Sequence, residues 1–536
     1  MIQRQHFLHS LFVFVLVSLF SPVAYGGSAP SILPPVPATV ESITPAELRM
    51  HLDFLASNEL GGRYTLAPNF AISARYLAAH LKAYGFHGAG TNGDFLQFFD
   101  VASSKPDIAK SSLTCTINGH ASSYKYDDFF TFGEGENADV QGQVIFAGYG
   151  ISSPSQKHDD YAGLDVKGKI VLIVRGAPEG VDDSKVADQE RGEEAARAHG
   201  AIAVLAIPRQ GYVNFLKGKN FREHAGEWES VVLAKTTEAG IPVLTLGPDL
   251  AEKILAPMAV NLKALYESEK SHRPLMPKAL DASAHIVLSM QKTKTATQNV
   301  AGILDGTDPD LKKEYVVFSA HYDHLKTNSK GQIFPGADDD GSGTSAVLAI
   351  AHAMSLNRPK RSVLVMFHAG EELGLLGSEY NTDVAPAVPL DKMVVDLNID
   401  MIGRSKPKGD NEKADEHLTD SNSVYLVGSD RISQELHKLS EATNADFQKL
   451  NLSYYYNDPN NAERIYYRSD HWNYAKHGIP IIFYFDGVHV DYHKPTDTVD
   501  KIDFNKLASI TRLVFETGWR IADLDHRLTK DAKETK

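Results

Sequence analysis

Apolar residues recur every three or four positions from Ile43 to Tyr84, the spacing that lines one face of a helix. The first helix has a complete start signal. Thr44 stands as cap, Pro45 at the first helical position and Glu47 as the third-position carboxylate, with Leu48, Leu52 and Leu55 on one face. A second amphipathic helix is predicted over 71–84, stopped by Gly85. From Ile286 onward short apolar runs alternate with helical spacing: strands over 315–320, 362–367 and 393–399, and a helix over 344–356. That alternation predicts an α/β fold, a mostly parallel central sheet covered by helices on both faces.

Between residues 135 and 282 the rhythm differs. The runs QVIFAGYGI, KIVLIVRG, AIAVLAIP and IPVLTLG alternate with Gly-rich turns and one helix, EEAARAHG, so a second, smaller unit is expected inside the first. Its flanks, 42–134 and 283–528, read as one domain, and 529–536 as a polar tail. A length of 536 residues supports two domains. At the N-terminus, Arg4 precedes an apolar run over 11–20 that is too short for a comfortable membrane span, and Ala24-Tyr25-Gly26 offers small residues for cleavage. Residues 1–26 are expected to be a signal peptide and 27–41 a linker, which places the protein in the periplasm or outside the cell without stable membrane association. Cys115 is the only cysteine, so intrachain disulfides are excluded. A net charge of −14 gives no electrostatic case for nucleic acid.

Candidate chemistry collects at the ends of the expected strands. His321 (SAHYDHL), Asp339 (PGADDDGSGT), Glu372 (HAGEELGLLGS), Asp400 (NIDMIGR) and His493 (DYHKPTDT) form an imidazole and carboxylate set of the kind that holds zinc without cysteine. Glu371 stands beside Glu372, where a general base would be needed. Each motif alone has a plainer reading. A lone H-x-D is usually a surface pair, three aspartates at 338–340 a solvated turn, and two glutamates an acidic helix start. Asp400 after an apolar strand is harder to set aside, because an unpaired buried carboxylate is costly. Occurrence of all five in order decides for a metal site.

These residues resemble the zinc-dependent aminopeptidase family of co-catalytic exopeptidases, typified by secreted bacterial leucyl aminopeptidases. The resemblance extends to HLDFLASNELGGRYT and RSDHW…HGIP, and so takes in most of the chain beyond residue 42. It implies two zinc ions bridged by Asp339, with His321 and Asp400 on one and Glu372 and His493 on the other. It further implies Asp323 orienting His321, Glu371 as base, Tyr466 near the transition state, and peptide substrates cut at the N-terminus. Gly341 and Gly343 are expected to let the loop after Asp339 turn tightly. His324 is expected in an outer or surface role, and His471 beneath the site. The 135–282 segment resembles an inserted protease-associated domain through GYGI, YAGLDVKGKIVLIVRG and a following AxxxGA pattern. Two alternatives remain open. One is a carboxypeptidase or dipeptidase on the same metal cage, catching a carboxylate with Arg404, Arg464 and Arg468. The other is a non-catalytic receptor-like protein, which would have lost ligands that are all present here.

Overall fold

The computed structural model describes residues 33–531, apart from 126–127, 131–136, 210–228, 235–239, 257–260, 264, 267–274, 459–460 and 462. The expected signal peptide lies outside the described residues, among which no helix is long and apolar enough to cross a membrane. Nine strands carry the main sheet: β1 (Leu96–Pro106), β2 (Ser230–Leu233), β3 (Met290–Leu304), β4 (Tyr315–His321), β5 (Ser362–His368), β6 (Met393–Ile399), β7 (Ser423–Val427), β8 (Asn451–Ser453) and β9 (Ile481–Phe485). Their spatial order is β2-β1-β3-β5-β4-β6-β9-β7-β8, and the two residues His87–Gly88 also pair with β3. The expected parallel register holds through the centre, β5-β4-β6-β9. The β2-β1-β3-β5 flank is antiparallel, as is the β9-β7 pair.

Central strands bury both faces, so they read as continuous apolar runs rather than alternating ones. Val316, Phe318 and Ala320 of β4 face one core, and Val317 faces the other. The first face is covered by α1 (Pro45–Leu55), α2 (Phe70–Ala83), α3 (Gly341–Leu356) and α4 (Phe504–Asp523). The start signal of α1 works as its sequence implies: Thr44 Oγ1 accepts from the Glu47 backbone N–H at 3.2 Å. Helix α2 ends before Gly85, whose φ of +84° suits only a residue without a side chain. A shorter helix, His471–Ala475, covers the second face. Residues 33–41 were expected to form a linker. They instead pack on the core through Leu33, Val36 and Val40, and Arg520 Nε donates to Pro34 O at 3.2 Å.

The second unit has its own sheet and its own core, in which Ile170, Leu172, Leu205 and Leu244 are fully buried. It begins earlier than residue 135. The strand Ser112–Ile117 belongs to it, because Leu113 and Cys115 point into this second core while the strand pairs with Lys278–Leu288. β1 and β3 run out of the main sheet side by side and hand the chain over at Asp107, whose N–H donates to Ser289 O at 2.7 Å. β2, drawn from inside the expected insert, returns to pair with β1 at the edge of the main sheet.

Candidate metal centre

Ligand sites in open α/β sheets form beyond the carboxyl ends of the strands. β4 ends on His321, β6 is followed by Asp400, and the turn after β5 carries Glu371 and Glu372. The aspartate run at 338–340 is no solvated turn, since all three side chains are buried. Asp338 accepts from Gly403 N–H at 2.7 Å. Asp340 caps α3, accepting from Gly343 N–H at 2.8 Å and from Met401 N–H at 3.2 Å. With its two neighbours so engaged, Asp339 is left to face the histidines. The glycine that lets this loop turn is Gly336, at φ +56°, where a Cβ would collide with Asp339 O and the His324 ring. Gly341 and Gly343 have no left-handed backbone. They lie in the first turn of α3 and are small because Gly336 O and Ile399 O pass too close for a side chain.

Asp339 splits its two oxygens between two groups. Oδ1 lies 3.3 Å from His321 Nε2, which is itself 3.5 Å from Asp400 Oδ1. Oδ2 lies 3.1 Å from His493 Nε2, which is 3.1 Å from Glu372 Oε2. Ligands about 2.0–2.1 Å from a tetrahedral zinc stand about 3.3 Å from one another. The four separations match that edge, and so fit one ion on each side of Asp339. His321 Nε2, Asp339 Oδ2, Asp400 Oδ1 and His493 Nε2 are buried atoms with no hydrogen-bond partner among the described residues. Buried polar atoms are rarely left so, which points to a cation as their common partner.

The same measure separates the remaining groups. Glu371 Oε2 stands 3.9 Å from His321 Nε2, beyond a ligand edge although still close to His321 and Asp400. Burial pushes its carboxyl well above the usual range, and Glu372, Asp400 and Asp470 push the same way against His321. His324 is fully buried, not on the surface, and its Nδ1 lies 2.7 Å from Glu372 Oε1. Both ring nitrogens of His324 and Glu372 Oε1 lack a hydrogen-bond partner among the described residues, and His324, Asp339 and Glu372 lie close enough together to hold an ion, so His324 stands beside the second group as a further candidate donor. Although burial pulls His493 down, its contacts to Asp339 and Glu372 lift it to about 10, and its backbone is held at φ +55°. Asp323 is anchored by Thr65 Oγ1 at 2.8 Å and by Glu371 N–H at 3.2 Å; it meets His321 Nδ1 through its main-chain carbonyl at 3.2 Å, with its Oδ1 farther off at 3.7 Å. Ser469 holds Asp400 and in turn accepts from Asn398 at 3.1 Å. His471 packs beneath on Phe483, bonded to Tyr466 O at 2.8 Å.

Tyr466 is not beside this centre. Its ring is buried in the second-face core, beneath the Arg431 guanidinium and against Gly428. The tyrosine that lines the cavity is Tyr492, stacked on His493. The Y-H pair of DYHKPTDT was its only sequence signal. Met401, Ile465, Phe483, Phe485 and Val488 make the rest of this cavity apolar, and Arg468 stands at its wall. Arg404 is buried against Asp491 at 2.8 Å, and Arg464 lies over the Tyr467 ring. The three arginines therefore do not gather at one carboxylate-binding point.

Residues 299–518 match the model of peptidase family M28. An aminopeptidase of Pseudomonas aeruginosa is 26% identical over 359 residues, which cover 66% of this chain and 56% of that protein. Aminopeptidase YwaD of Bacillus subtilis is 26% identical over 329 residues, 60% of this chain and 62% of that one. The match thus spans little more than half the length of these relatives. Among solved structures, an aminopeptidase from Aneurinibacillus sp. strain AM-1 superposes with a TM-score of 0.55 at 17% identity, covering 92% of this chain and 98% of that one, a likeness of fold. Residues 299–518 thus carry a peptidase family M28 domain, and the relatives of the chain include aminopeptidases.

Proposed function

We propose that this protein is a dizinc aminopeptidase, exported and acting on peptides with a free N-terminus. The observation that carries the reading is the split of the Asp339 carboxylate between two donor groups of zinc-like spacing. His321, Asp339 and Asp400 would hold one ion, and Asp339, Glu372 and His493 the other. Zinc bound there supplies a Lewis acid for the scissile carbonyl and lowers the pKa of water. Asp323 fixes the His321 ring so that Nε2 faces inward. Glu371, close to the donors without belonging to them, takes the proton of the attacking water and returns it to the leaving amine. Its raised pKa suits a base that must both accept and release. The apolar wall of Met401, Ile465, Phe483 and Phe485 receives a substrate side chain and excludes water from the reacting atoms. The second unit, which we read as a protease-associated insert, contributes none of the named donors.

The carboxypeptidase reading loses support from the scattered arginines, because Arg468 alone of the three lines the cavity. Paired peptides with free and acetylated N-termini test the choice. Acetylation is expected to cost at least about tenfold in kcat/KM. Equal turnover of both, with preference set by the C-terminus, would reverse the polarity of the assignment. Export is tested separately by the first residue of the mature protein, expected to be Gly27.

A further inference from the structure

Arg63 lies in the NELGGRYT stretch, far in sequence from every candidate ligand, and its side chain is 1% exposed. No carboxylate lies within salt-bridge distance of it among the described residues. Instead, its five N–H groups all meet backbone carbonyls. Nε donates to Tyr322 O at 3.1 Å. Nη1 donates to Leu55 O at 2.7 Å and Pro335 O at 2.6 Å. Nη2 donates to Gly336 O at 2.8 Å and, more weakly, to Asp339 O at 3.4 Å. The main chain of Arg63 joins in, its carbonyl accepting from His324 N–H at 3.2 Å. One residue thus touches the loop that leaves His321, the loop that delivers Asp339, and the end of α1. Its backbone is left-handed at φ +57°, a conformation unusual for arginine and maintained by its surroundings.

Burial makes so enclosed a guanidinium unfavourable, and Asp339, Asp340, Asp323 and Asp497 offset that cost only in part, at longer range. We propose that Arg63 is the positioning residue of the metal centre: it clamps the 322–324 and 335–339 loops together and supplies the fixed positive charge that lets the carboxylates converge before an ion arrives. The proposal rests on the two-ion reading above. Only a guanidinium combines five donors in a planar fork with a permanent charge; a lysine keeps the charge and offers three donors at a single point.

The two contributions have opposite signs on zinc binding, which makes them separable. The clamp raises affinity by holding the donors in place. The charge lowers affinity by repelling a cation, yet stabilises the protein before zinc is taken up. Zinc affinity, measured by chelator competition on full-length wild type, R63K and R63Q, is the primary test, with melting curves recorded with and without zinc. R63K, which loses the fork and keeps the charge, is expected to bind the weaker zinc about 10–100-fold less tightly, the usual effect of removing a group that orients ligands. At saturating zinc it should recover most of its kcat with KM unchanged. R63Q is expected to melt well below wild type without zinc and to regain much of that gap with it, because the ion replaces the lost charge. Wild-type zinc affinities in both variants, or a melting deficit that zinc leaves unchanged, would overturn the role of Arg63. If R63Q does not fold, R63K decides; failure of both to fold even with zinc would make Arg63 a fold residue and end the assignment. Wild-type protein that takes up no zinc would instead overturn the two-ion reading itself.

Discussion

Two buried groups of acids and bases lie side by side in this molecule, and they solve the problem of burial in opposite ways. Around Arg404 the protein neutralises itself. Arg404 and Lys501 hold the two oxygens of Asp491 at 2.8 and 2.7 Å, Lys506 faces Asp486 at 3.5 Å, Arg404 faces Asp497 at 3.7 Å, and His489 faces Asp338 at 3.3 Å. Although burial pulls His489 down, Asp338 raises it above its ordinary value, so each acid there has a basic neighbour. Around Asp339 no lysine or arginine pairs with Glu371, Glu372 or Asp400 among the described residues, and Arg63 reaches only carbonyls. Residue types alone do not distinguish the two groups. A buried carboxylate must find a cation or bind a proton; the first group carries lysine and arginine, whereas the acids of the second have only histidines as basic neighbours among the described residues.

Substitutions that break this contrast differ in size. The largest effect should come from Glu371→Gln, which keeps the shape of the side chain and removes its ability to accept a proton. A fall in kcat of roughly 10²–10⁴ is expected with two zincs retained. Glu372→Ala, by contrast, should weaken one zinc and lower the melting temperature of the zinc-treated protein. Metal analysis and kcat for both variants check the pair, and loss of zinc from the first but not the second would exchange their roles. In the self-neutralised group, Arg404→Met leaves Asp491 and Asp497 without their guanidinium. It should cost roughly 3 kcal/mol in chemical denaturation, the lower end for breaking a buried pair, while zinc per chain stays at two. A changed zinc content there would mean that the two groups are not separable.

The smallest effect concerns a carboxyl with neither cation nor metal. Asp396 is fully buried on β6, where Ser319 Oγ of the adjacent β4 donates to it at 2.7 Å, and burial pushes it up to about 8. A carboxyl whose folded pKa is raised binds its proton more tightly when folded. Its contribution is therefore complete below about pH 4 and is lost as pH rises towards 8. Melting of the wild type should fall between pH 5 and 8 by several degrees more than melting of Asp396→Asn, compared in one buffer series. Parallel pH curves for the two proteins would contradict this.

How much of this was legible in the sequence depended on how far each signal reached along the chain. Local signals read well: the Thr44 cap, the stop at Gly85, and the apolar runs that became β4, β5 and β6. His321, Glu372 and Asp400 end or closely follow such runs, whereas Asp339 and His493 lie in longer loops and are legible only through their motifs. Longer-range features were hidden. Ser112–Ile117 looked like part of the flanking domain because its partner strand lies about 170 residues later, at Lys278–Leu288. His324 looked peripheral because its closeness to His321 in sequence says nothing of Glu372, which closes on it from another strand's turn. Tyr466 and Tyr467 could not be told from Tyr492, since which ring lines a cavity depends on packing that no spacing encodes. Arg63 gave no sign of its role, because all its side-chain partners are carbonyls and a carbonyl has no sequence identity.

The central claim is that Asp339 bridges two ions, and diffraction at the zinc absorption edge from crystals of the zinc-loaded protein tests it most directly. The account predicts two anomalous peaks about 3.5–4 Å apart, one beside His321 and Asp400, the other beside Glu372 and His493, with the Asp339 carboxylate between them. A single peak, or two peaks that do not share Asp339, would contradict it.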